Sequence, residues 1–269
     1  MFFKIALPIV AVFIIIYIFL ITPKLKKRID PKFLTAKYAH RGLHGEGVPE
    51  NSMRAFELAV ENGYGIELDV RFSKEKELVV FHDTTLDRVC GVSGRVCDKS
   101  VDELSRISLG ADDQFVPTFK QVLELVDGKV PLLVEIKQDP GEGDVASATC
   151  EALSKYTGDY IVETFNPLAL AKVKKLLPNA CRGLLCDRFT QQKKYKKPLY
   201  YILQAFLLNF LCKPDFVAYN HNAKQGLSYK IVKNVFGTPL VAWTLRSKED
   251  EDTARKSGFS TVIFESYKA

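Results

Sequence analysis

Nine short apolar, β-prone runs recur along this chain, near residues 36–40, 65–70, 78–82, 131–136, 160–165, 181–186, 215–219, 239–244 and 260–264. Helical patterns lie between several of them. That alternation constrains the fold more than any other feature, because strand, helix and strand in succession build a parallel sheet with helices outside, open or closed. One helical pattern begins at Asn51-Ser52-Met53-Arg54, where Asn51 or Ser52 suits the N-cap and Phe56, Ala59 and Val60 fall at core spacing. A second runs from Thr118 with Phe119, Val122, Leu123 and Val126 on one stripe, and a third from Pro167 with Leu170, Val173, Leu176 and Leu177. The chain has 269 residues. Without its N-terminus, about 230 to 240 remain, a common size for an α/β barrel. Nine runs are one too many for eight staves. Those at 65–70 and 78–82 are separated by about seven residues, too few for a helical crossover. Either one of that pair is a local hairpin arm or a terminal run is not a stave.

Two stretches break the rhythm. Residues 84–117 contain the turn-rich Arg88-Val89-Cys90-Gly91-Val92-Ser93-Gly94-Arg95 and a short amphipathic piece near 101–107. They read as an insertion at the barrel mouth, where insertions are accommodated. In residues 193–212, lysines precede a run in which only Gln204 and Asn209 are polar. This run is too short to span a bilayer. It suits either a well-buried barrel helix or a helix in the membrane interface with its lysines on head groups.

Residues 5–22 carry no charge and are nearly all apolar. At about 1.5 Å per residue they reach roughly 27 Å, close to the hydrocarbon thickness of a bilayer. The exit, Leu20-Ile21-Thr22-Pro23-Lys24, lacks the small-x-small pattern of signal cleavage. The expected organisation is therefore a transmembrane anchor over 1–23, a basic juxtamembrane linker over 24–35 and a barrel over 36–269. Residues 1–37 hold seven Lys or Arg and one acid, Asp30, so they carry the whole net charge of +6, and the remainder is balanced. The excess suits anionic head groups and gives no support to nucleic-acid binding, which wants a basic patch on the folded domain. By the positive-inside tendency, the expectation is a single-pass membrane protein with its catalytic domain in the cytoplasm. None of the six cysteines forms a C-x-x-C pair. Cys90 and Cys97 flank Gly91 and Gly94 and are placed for a local disulfide if the domain is outside the cell.

Three of the β-prone runs end in charge: Ala39-His40-Arg41-Gly42, Ile66-Glu67-Leu68-Asp69 with Phe81-His82-Asp83 close behind, and Val134-Glu135-Ile136-Lys137. Alternation puts Glu67 and Asp69 on one face, and Glu135 with Lys137 on another strand's equivalent face. Two carboxylates about 4 Å apart repel by about 4 kcal/mol at an effective dielectric of 20. Convergence of three acids therefore requires a cation, a shared proton, or a salt-bridge network through Lys137, Arg41 or Arg71. A divalent ion on oxygen ligands, Mg²⁺ or Ca²⁺, is the simplest solution. His40 and His82 end two such runs and read as a proton-transfer pair, one taking a proton from the nucleophile and one giving a proton to the leaving oxygen. Arg41 and Lys137 suit equatorial phosphate oxygens. His44 and His221 read as loop or rim residues. The chain has no G-x-x-x-x-G-K-[ST], no G-x-G-x-x-G after the first strand and no G-x-S-x-G.

The chain resembles the glycerophosphodiester phosphodiesterase family. The matching pieces are His40-Arg41-Gly42, Pro49-Glu50-Asn51-Ser52, Glu67-Leu68-Asp69-Val70, Val79-Val80-Phe81-His82-Asp83, Val116-Pro117-Thr118-Phe119, Glu135-Ile136-Lys137 and Trp243-Thr244-Leu245, in order over about residues 36–265. The resemblance implies an eight-stranded (β/α)8 TIM-type barrel with a small insertion after His82. It implies one divalent ion on Glu67, Asp69 and Glu135, and catalytic His40 and His82. Arg41 and Lys137 match phosphate contacts, Glu50 a residue that helps order the site, and Phe165 and Trp243 the wall of the substrate pocket. The implied reaction hydrolyses a glycerophosphodiester to glycerol 3-phosphate and an alcohol, in lipid or glycerol metabolism. Two departures stand near the mouth. Arg246 follows Trp-Thr-Leu where the family usually has Asn, and Phe264-Glu265-Ser266 replaces the usual Thr-Asp before proline. These leave the substrate's alcohol part open, and Arg246 is a candidate anion contact. A competing enzyme reading takes lysophospholipids in the manner of a lysophospholipase D. A reading of another class is a catalytically silent, membrane-tethered binding module.

Overall fold

In the computed structural model the described residues are 2–25, 29–111, 113–191 and 196–269, with side chains described from residue 7 onward. Nine strands form one sheet: β1 (Lys37–Ala39), β2 (Gly65–Phe72), β3 (Leu78–Val80), β4 (Leu132–Ile136), β5 (Tyr160–Thr164), β6 (Cys181–Cys186), β7 (Phe216–Asn220), β8 (Leu240–Leu245) and β9 (Thr261–Phe264). Eight of them are parallel neighbours in a ring, because β1 pairs with both β9 and β2. The ninth, β3, folds back antiparallel on the end of β2 with Val70 opposite Val80. It is therefore the hairpin arm, and the excess strand lies outside the stave count.

The helices are α1 (Phe2–Ile21), α2 (Pro31–Thr35), α3 (Met53–Glu61), α4 (Asp87–Cys90), α5 (Val101–Leu104), α6 (Phe119–Val126), α7 (Val145–Ser154), α8 (Pro167–Leu176), α9 (Pro198–Gln204), α10 (Asn209–Cys212), α11 (Leu227–Asn234) and α12 (Lys248–Lys256). Their starts follow from side-chain capping. Ser52, not Asn51, accepts from Ala55 N at the head of α3, Thr118 and Gln121 form a reciprocal capping box on α6, and Asn166 caps α8.

Strand alternation divides the core. Ile66, Leu68 and Val70 of β2 and Leu132, Val134 and Ile136 of β4 face the helical shell. A separate interior cluster joins Tyr38, Leu133, Ile161, Leu185, Phe216, Ala218, Val241 and Ile263, drawn from every stave but β2. Gly183 makes room for this cluster, since a Cβ there would lie 2.1 Å from the Phe216 ring. Burying a Phe- or Leu-sized side chain contributes about 1.5–3 kcal/mol, so this interior plug and the shell together fix the staves that carry the site.

Residues between β3 and α6 hold α4, α5 and the bridges Thr85 to Arg95 and Ser108 to Phe115. They close over a small core of Val79, Phe81, Leu86, Val96, Leu104, Leu109 and Val116. The run near 193–212 is not one helix. Phe206 takes φ of +56° between α9 and α10, which breaks it. Phe206, Asn209 and Cys212 are buried, whereas Leu199, Tyr201 and Ile202 of α9 are exposed. Lys193 and Lys194, invoked for head groups, fall outside the described residues, as do residues 26–28 of the basic linker.

The last turn of α1 docks on the barrel. Phe19 meets Phe210 with centroids 5.4 Å apart, Asn209 Nδ2 donates to Ile21 O at 3.0 Å, and Tyr17 pairs with Ser228 at 2.8 Å. Among the described residues no helix is long and apolar enough to cross a membrane, so the expected span over 1–23 gains no support here. All six cysteines are free, so the Cys90–Cys97 bridge considered from sequence is not formed.

Candidate active site at the barrel mouth

The mouth is where the staves end in charge. Register explains the convergence. Asp69 of β2 lies beside Glu135 of β4, and Glu135 beside Glu163 of β5. Neighbouring parallel residues in register share a face, so one lateral layer of the barrel carries three acids. Glu67, one pleat below on β2, is buried too. Oxygens of Glu67, Asp69 and Glu135 lie within 4.8 Å of one another.

The chain supplies part of the compensation. Lys137 Nζ lies 2.7 Å from Glu135 Oε1 and 3.1 Å from Asp69 Oδ1, and Asn51 Nδ2 donates to Asp69 Oδ2 at 2.9 Å. Burial opposes charge on Asp69, but Lys137, His82 and Arg41 outweigh it and hold that carboxyl well below its usual range. Glu67 and Glu135 are not so held. Burial, then Asp69 and Glu135, push Glu67 well up. Burial raises Glu135 to about 7 against the pull of Lys137. Glu163 is pushed up by burial, then by Glu135 and Glu67, and its Oε2 has no hydrogen-bond partner. One lysine and one arginine are too little positive charge for four buried acids. A buried set of hard oxygen donors with unspent negative charge fits a divalent cation such as Mg²⁺ or Ca²⁺.

His40 and Arg41 arrive through a strained turn. His40 N donates to Phe264 O as β1 ends, and Arg41 and Gly42 then both adopt left-handed φ, +55° and +80°. For arginine this costs roughly 1–2 kcal/mol. Arg41 N donates to Glu67 Oε2 at 2.9 Å, which offsets part of it. At Gly42 a Cβ would stand 2.8 Å from Ala55 Cβ and 2.9 Å from its backbone, so α3 packs against this turn only because no side chain is there. Arg41 reaches Glu50 at 2.7 Å and Asp69 at 3.5 Å. His40 Nε2 lies 4.0 Å from Glu67 Oε2. His82 follows β3, and its backbone carbonyl accepts from Arg71 Nε and Nη2. Burial lowers both imidazoles, His82 to about 4.

These groups share a cavity of about 230 Å³ lined by His40, Arg41, Glu67, His82, Glu135, Lys137, Glu163, Phe165, Trp243 and Arg246, among others. Phe165 and Trp243 meet edge to face at 5.7 Å on its wall. Glu50 stands behind, clasped by Arg41 and Arg88. A larger groove between α6 and α7 is lined by none of these site residues.

The sequence assigns no role in the site to five residues here. Glu163 could have been found by the rule used for Glu135, an acid inside a β-prone run. Asn51 was read as a possible cap and instead holds Asp69. Arg88, Asp83 and Glu265 gave no periodic signal. They lie in the insertion, beside a histidine and past the last stave. Arg246, read as an anion contact, is bound to Glu265 at 2.7 Å.

An eight-staved α/β barrel whose mouth gathers buried acids, two imidazoles, an arginine and a lysine is built for work on a phosphate ester. Comparison with known proteins makes this specific. Residues 40–268 match the glycerophosphoryl diester phosphodiesterase family. A glycerophosphodiester phosphodiesterase of Caldanaerobacter subterraneus subsp. tengcongensis is 33% identical over 245 residues, covering 85% of this chain and 93% of that protein. Among solved structures, a glycerophosphodiester phosphodiesterase of Thermotoga maritima aligns with TM-score 0.65 at 26% identity over 85% of this chain and 94% of its own. The fold also matches an Oleispira antarctica phosphodiesterase solved with the product sn-glycerol-3-phosphate, with TM-score 0.72 at 21% identity over 86% of this chain and 93% of that one. The chain belongs to the glycerophosphoryl diester phosphodiesterase family and is an enzyme of that activity.

Proposed function

We propose that this enzyme hydrolyses a glycerophosphodiester to glycerol 3-phosphate and an alcohol at the barrel mouth, with His40 and His82 moving the protons. The observation that carries the reading is the shared cavity, in which both imidazoles border the acid layer of Glu67, Asp69 and Glu135. Glu67, Asp69 and Glu135 would hold one divalent ion, Mg²⁺ or Ca²⁺. When bound, it supplies polarisation of the phosphate and offsets developing negative charge. Arg41 and Lys137 border the same cavity and complement phosphate oxygens as that charge builds. A neutral imidazole, which burial favours at both histidines, is ready to accept the nucleophile's proton. The other ring must first be protonated, a charge that the carboxylate on its Nδ1 side would stabilise, and it then gives that proton to the leaving oxygen; the proton taken from the nucleophile resets the pair. Phe165 and Trp243 form an apolar wall that suits the carbon skeleton of the substrate, and Glu50 keeps Arg41 in place.

The test is a panel of phosphodiesters incubated with the full chain and either ion. Release of glycerol 3-phosphate from sn-glycero-3-phosphocholine supports the reading, and a panel with no turnover under either ion overturns it.

A second reading, turnover of lysophospholipids, is favoured by one observation. Rings continue from the cavity wall, Trp243 to Phe165 to Phe189 to Tyr200, at 5.7, 5.8 and 5.7 Å, toward the exposed apolar residues of α9. Parallel assays on lysophosphatidylcholine and glycerophosphocholine separate the two.

The enzyme's site in the cell is proposed on similar grounds. Leu7, Val10, Phe13, Ile14 and Phe19 of α1 are each more than half exposed, and an apolar surface of that size wants cover from water. A bilayer is the cover we favour, with the barrel on the cytoplasmic side. Recovery of the full chain in the soluble fraction, without detergent, would discard this part.

A further inference from the structure

Each imidazole at the mouth is backed on its Nδ1 side by the same sequence of groups. His82 Nδ1 lies 2.6 Å from Asp83 Oδ1, and Asp83 Oδ2 accepts from Arg88 Nε at 2.6 Å. His40 Nδ1 lies 2.6 Å from Glu265 Oε2, and Glu265 Oε1 accepts from Arg246 Nε at 2.7 Å. The elements that supply them are unrelated: the segment after β3 in one case, and the ends of β8 and β9 in the other. Two independent routes lead to imidazole, carboxylate and guanidinium in line.

We infer that Glu265, held by Arg246, is a positioning residue for His40: it fixes the ring as the Nδ1–H tautomer and leaves Nε2 bare toward the acid layer.

The geometry allows little else. An ionised carboxylate has no proton to give, so the nitrogen facing it must carry the hydrogen. Burial opposes charge on Glu265, yet His40, His44 and Arg246 outweigh it and hold it well below its usual range. The opposite edge of the ring presents Nε2 to Glu67 Oε2 at 4.0 Å, inside the cavity. A neutral ring tethered in this way offers its lone pair on the cavity side, as a proton acceptor must. Glu265 is anchored from behind, because its backbone N donates to Leu245 O at the end of β8. Arg246 is the next residue along, so the same strand end supplies the guanidinium. Glu265 and Arg246 are the two positions at which this chain departs from the family pattern. The guanidinium of Arg246, at one departure, meets the carboxylate of Glu265, at the other, and the pair stands against His40. His44 Nε2 also approaches Glu265, at 3.7 Å, and the trio could be mistaken for a second cation site. Glu265 already spends one oxygen on His40 and the other on Arg246.

The inference rests on His40 acting in the proposed hydrolysis, so its test has one arm that needs no turnover. Nitrogen-15 spectra of the full chain, with His40 assigned by its loss in His40→Gln, should show a neutral ring protonated at Nδ1. Glu265→Ala should release it to a mixture of tautomers. In the kinetic arm, Glu265→Ala should lower kcat by about 10- to 100-fold, the range for loss of a carboxylate behind a functional histidine, with KM changed less than threefold. Glu265→Gln, whose amide oxygen still accepts from Nδ1–H, should recover most of the loss. Arg246→Ala should cost a few fold. The inference is overturned if wild-type His40 carries its proton on Nε2, if Glu265→Ala keeps kcat within twofold, or if its loss falls on KM alone. Should Glu265→Ala fail to fold, the wild-type tautomer and the Glu265→Gln kinetics still decide. If no substrate is turned over, the proposed reaction fails and the tautomer result stands by itself.

Discussion

Two buried carboxylate centres sit at opposite extremes of electrostatic care. On the outer shell Glu251 of α12 is almost wholly buried, yet three cations meet its carboxylate: Lys37 at 3.2 Å, Arg255 at 2.8 Å and Lys248 at 3.1 Å. Burial opposes its charge, and these cations win, taking it down to about 2. At the mouth Glu67, Asp69, Glu135 and Glu163 crowd two adjacent layers with one lysine and one arginine among them. Two of those acids are pushed well up, and Glu135 rises to about 7. A chain that can neutralise a buried acid so fully in one place has left another cluster under-neutralised. Satisfied charge stabilises the barrel, and unsatisfied charge waits for a ligand.

The largest effect expected from breaking this contrast is at the imidazoles. His40→Ala or His82→Ala should lower kcat at least 10³-fold, the upper part of the range for a lost acid or base, with the melting temperature within a few degrees of wild type. Near-normal hydrolysis by either purified variant removes that residue from the mechanism. Next is the cation. Thorough chelation should cut hydrolysis by about 10²-fold or more, and added Mg²⁺ or Ca²⁺ should restore it. A rate indifferent to chelation would leave the acid layer without its proposed role.

How far these groups could be seen in the sequence depended on whether strand period placed them. Glu67, Asp69 and Glu135 sit inside β-prone runs and Lys137 directly follows one, so alternation put Glu67 with Asp69 and Glu135 with Lys137. His40 and His82 end such runs. The excess strand was also visible, as a spacing too short for a crossover, although only the antiparallel pairing of Val70 with Val80 shows which run is the arm. What could not be seen hangs on loops and on distance. Arg88 comes from the insertion to bind Glu50 and Asp83, positions 38 and five residues away. Glu265 meets His40 across 225 residues because β9 and β1 close the ring. No local period encodes a closure. The residues 193–212 misled for a related reason. Their composition reads as one apolar helix, and the break at Phe206 comes from a left-handed residue that its side chain does not advertise.

The satisfied centre predicts a smaller, purely structural effect. Glu251→Ala strands three cations that it now collects and should cost about 2 kcal/mol, as for charged hydrogen bonds, with kcat unchanged. The pH dependence has a definite sign. The folded pKa of about 2 lies below the ordinary 4.5, so this contribution is complete above pH 4.5 and drains away as pH falls toward 2. Denaturation curves between pH 6 and pH 2 should therefore converge for Glu251→Ala and wild type at the acid end. Curves that stay parallel would show that the cations are not what holds Glu251.

The smallest effect has the opposite sign, and it sharpens the comparison most. In chelated protein at neutral pH, Glu67 faces Asp69 and Glu135 with only part of a counter-charge, and burial further disfavours its ionised form. A folded pKa raised above the unfolded one means that the group destabilises the fold once pH exceeds the ordinary carboxylate range. Glu67→Gln keeps an oxygen for the Arg41 amide and removes the proton-dependent charge. It should therefore stabilise the chelated enzyme by about 1 kcal/mol, read as a rise in urea midpoint at unchanged slope. The same variant should lose the stabilisation that Mg²⁺ or Ca²⁺ confers on wild type, because one of three ligands is gone. At the outer shell the equivalent change, Glu251→Gln, should only destabilise, with or without metal. If Glu67→Gln destabilises the chelated protein as Glu251→Gln does, the mouth is an ordinary salt-bridge network closed by Lys137 and Arg41, and the two centres differ in degree alone.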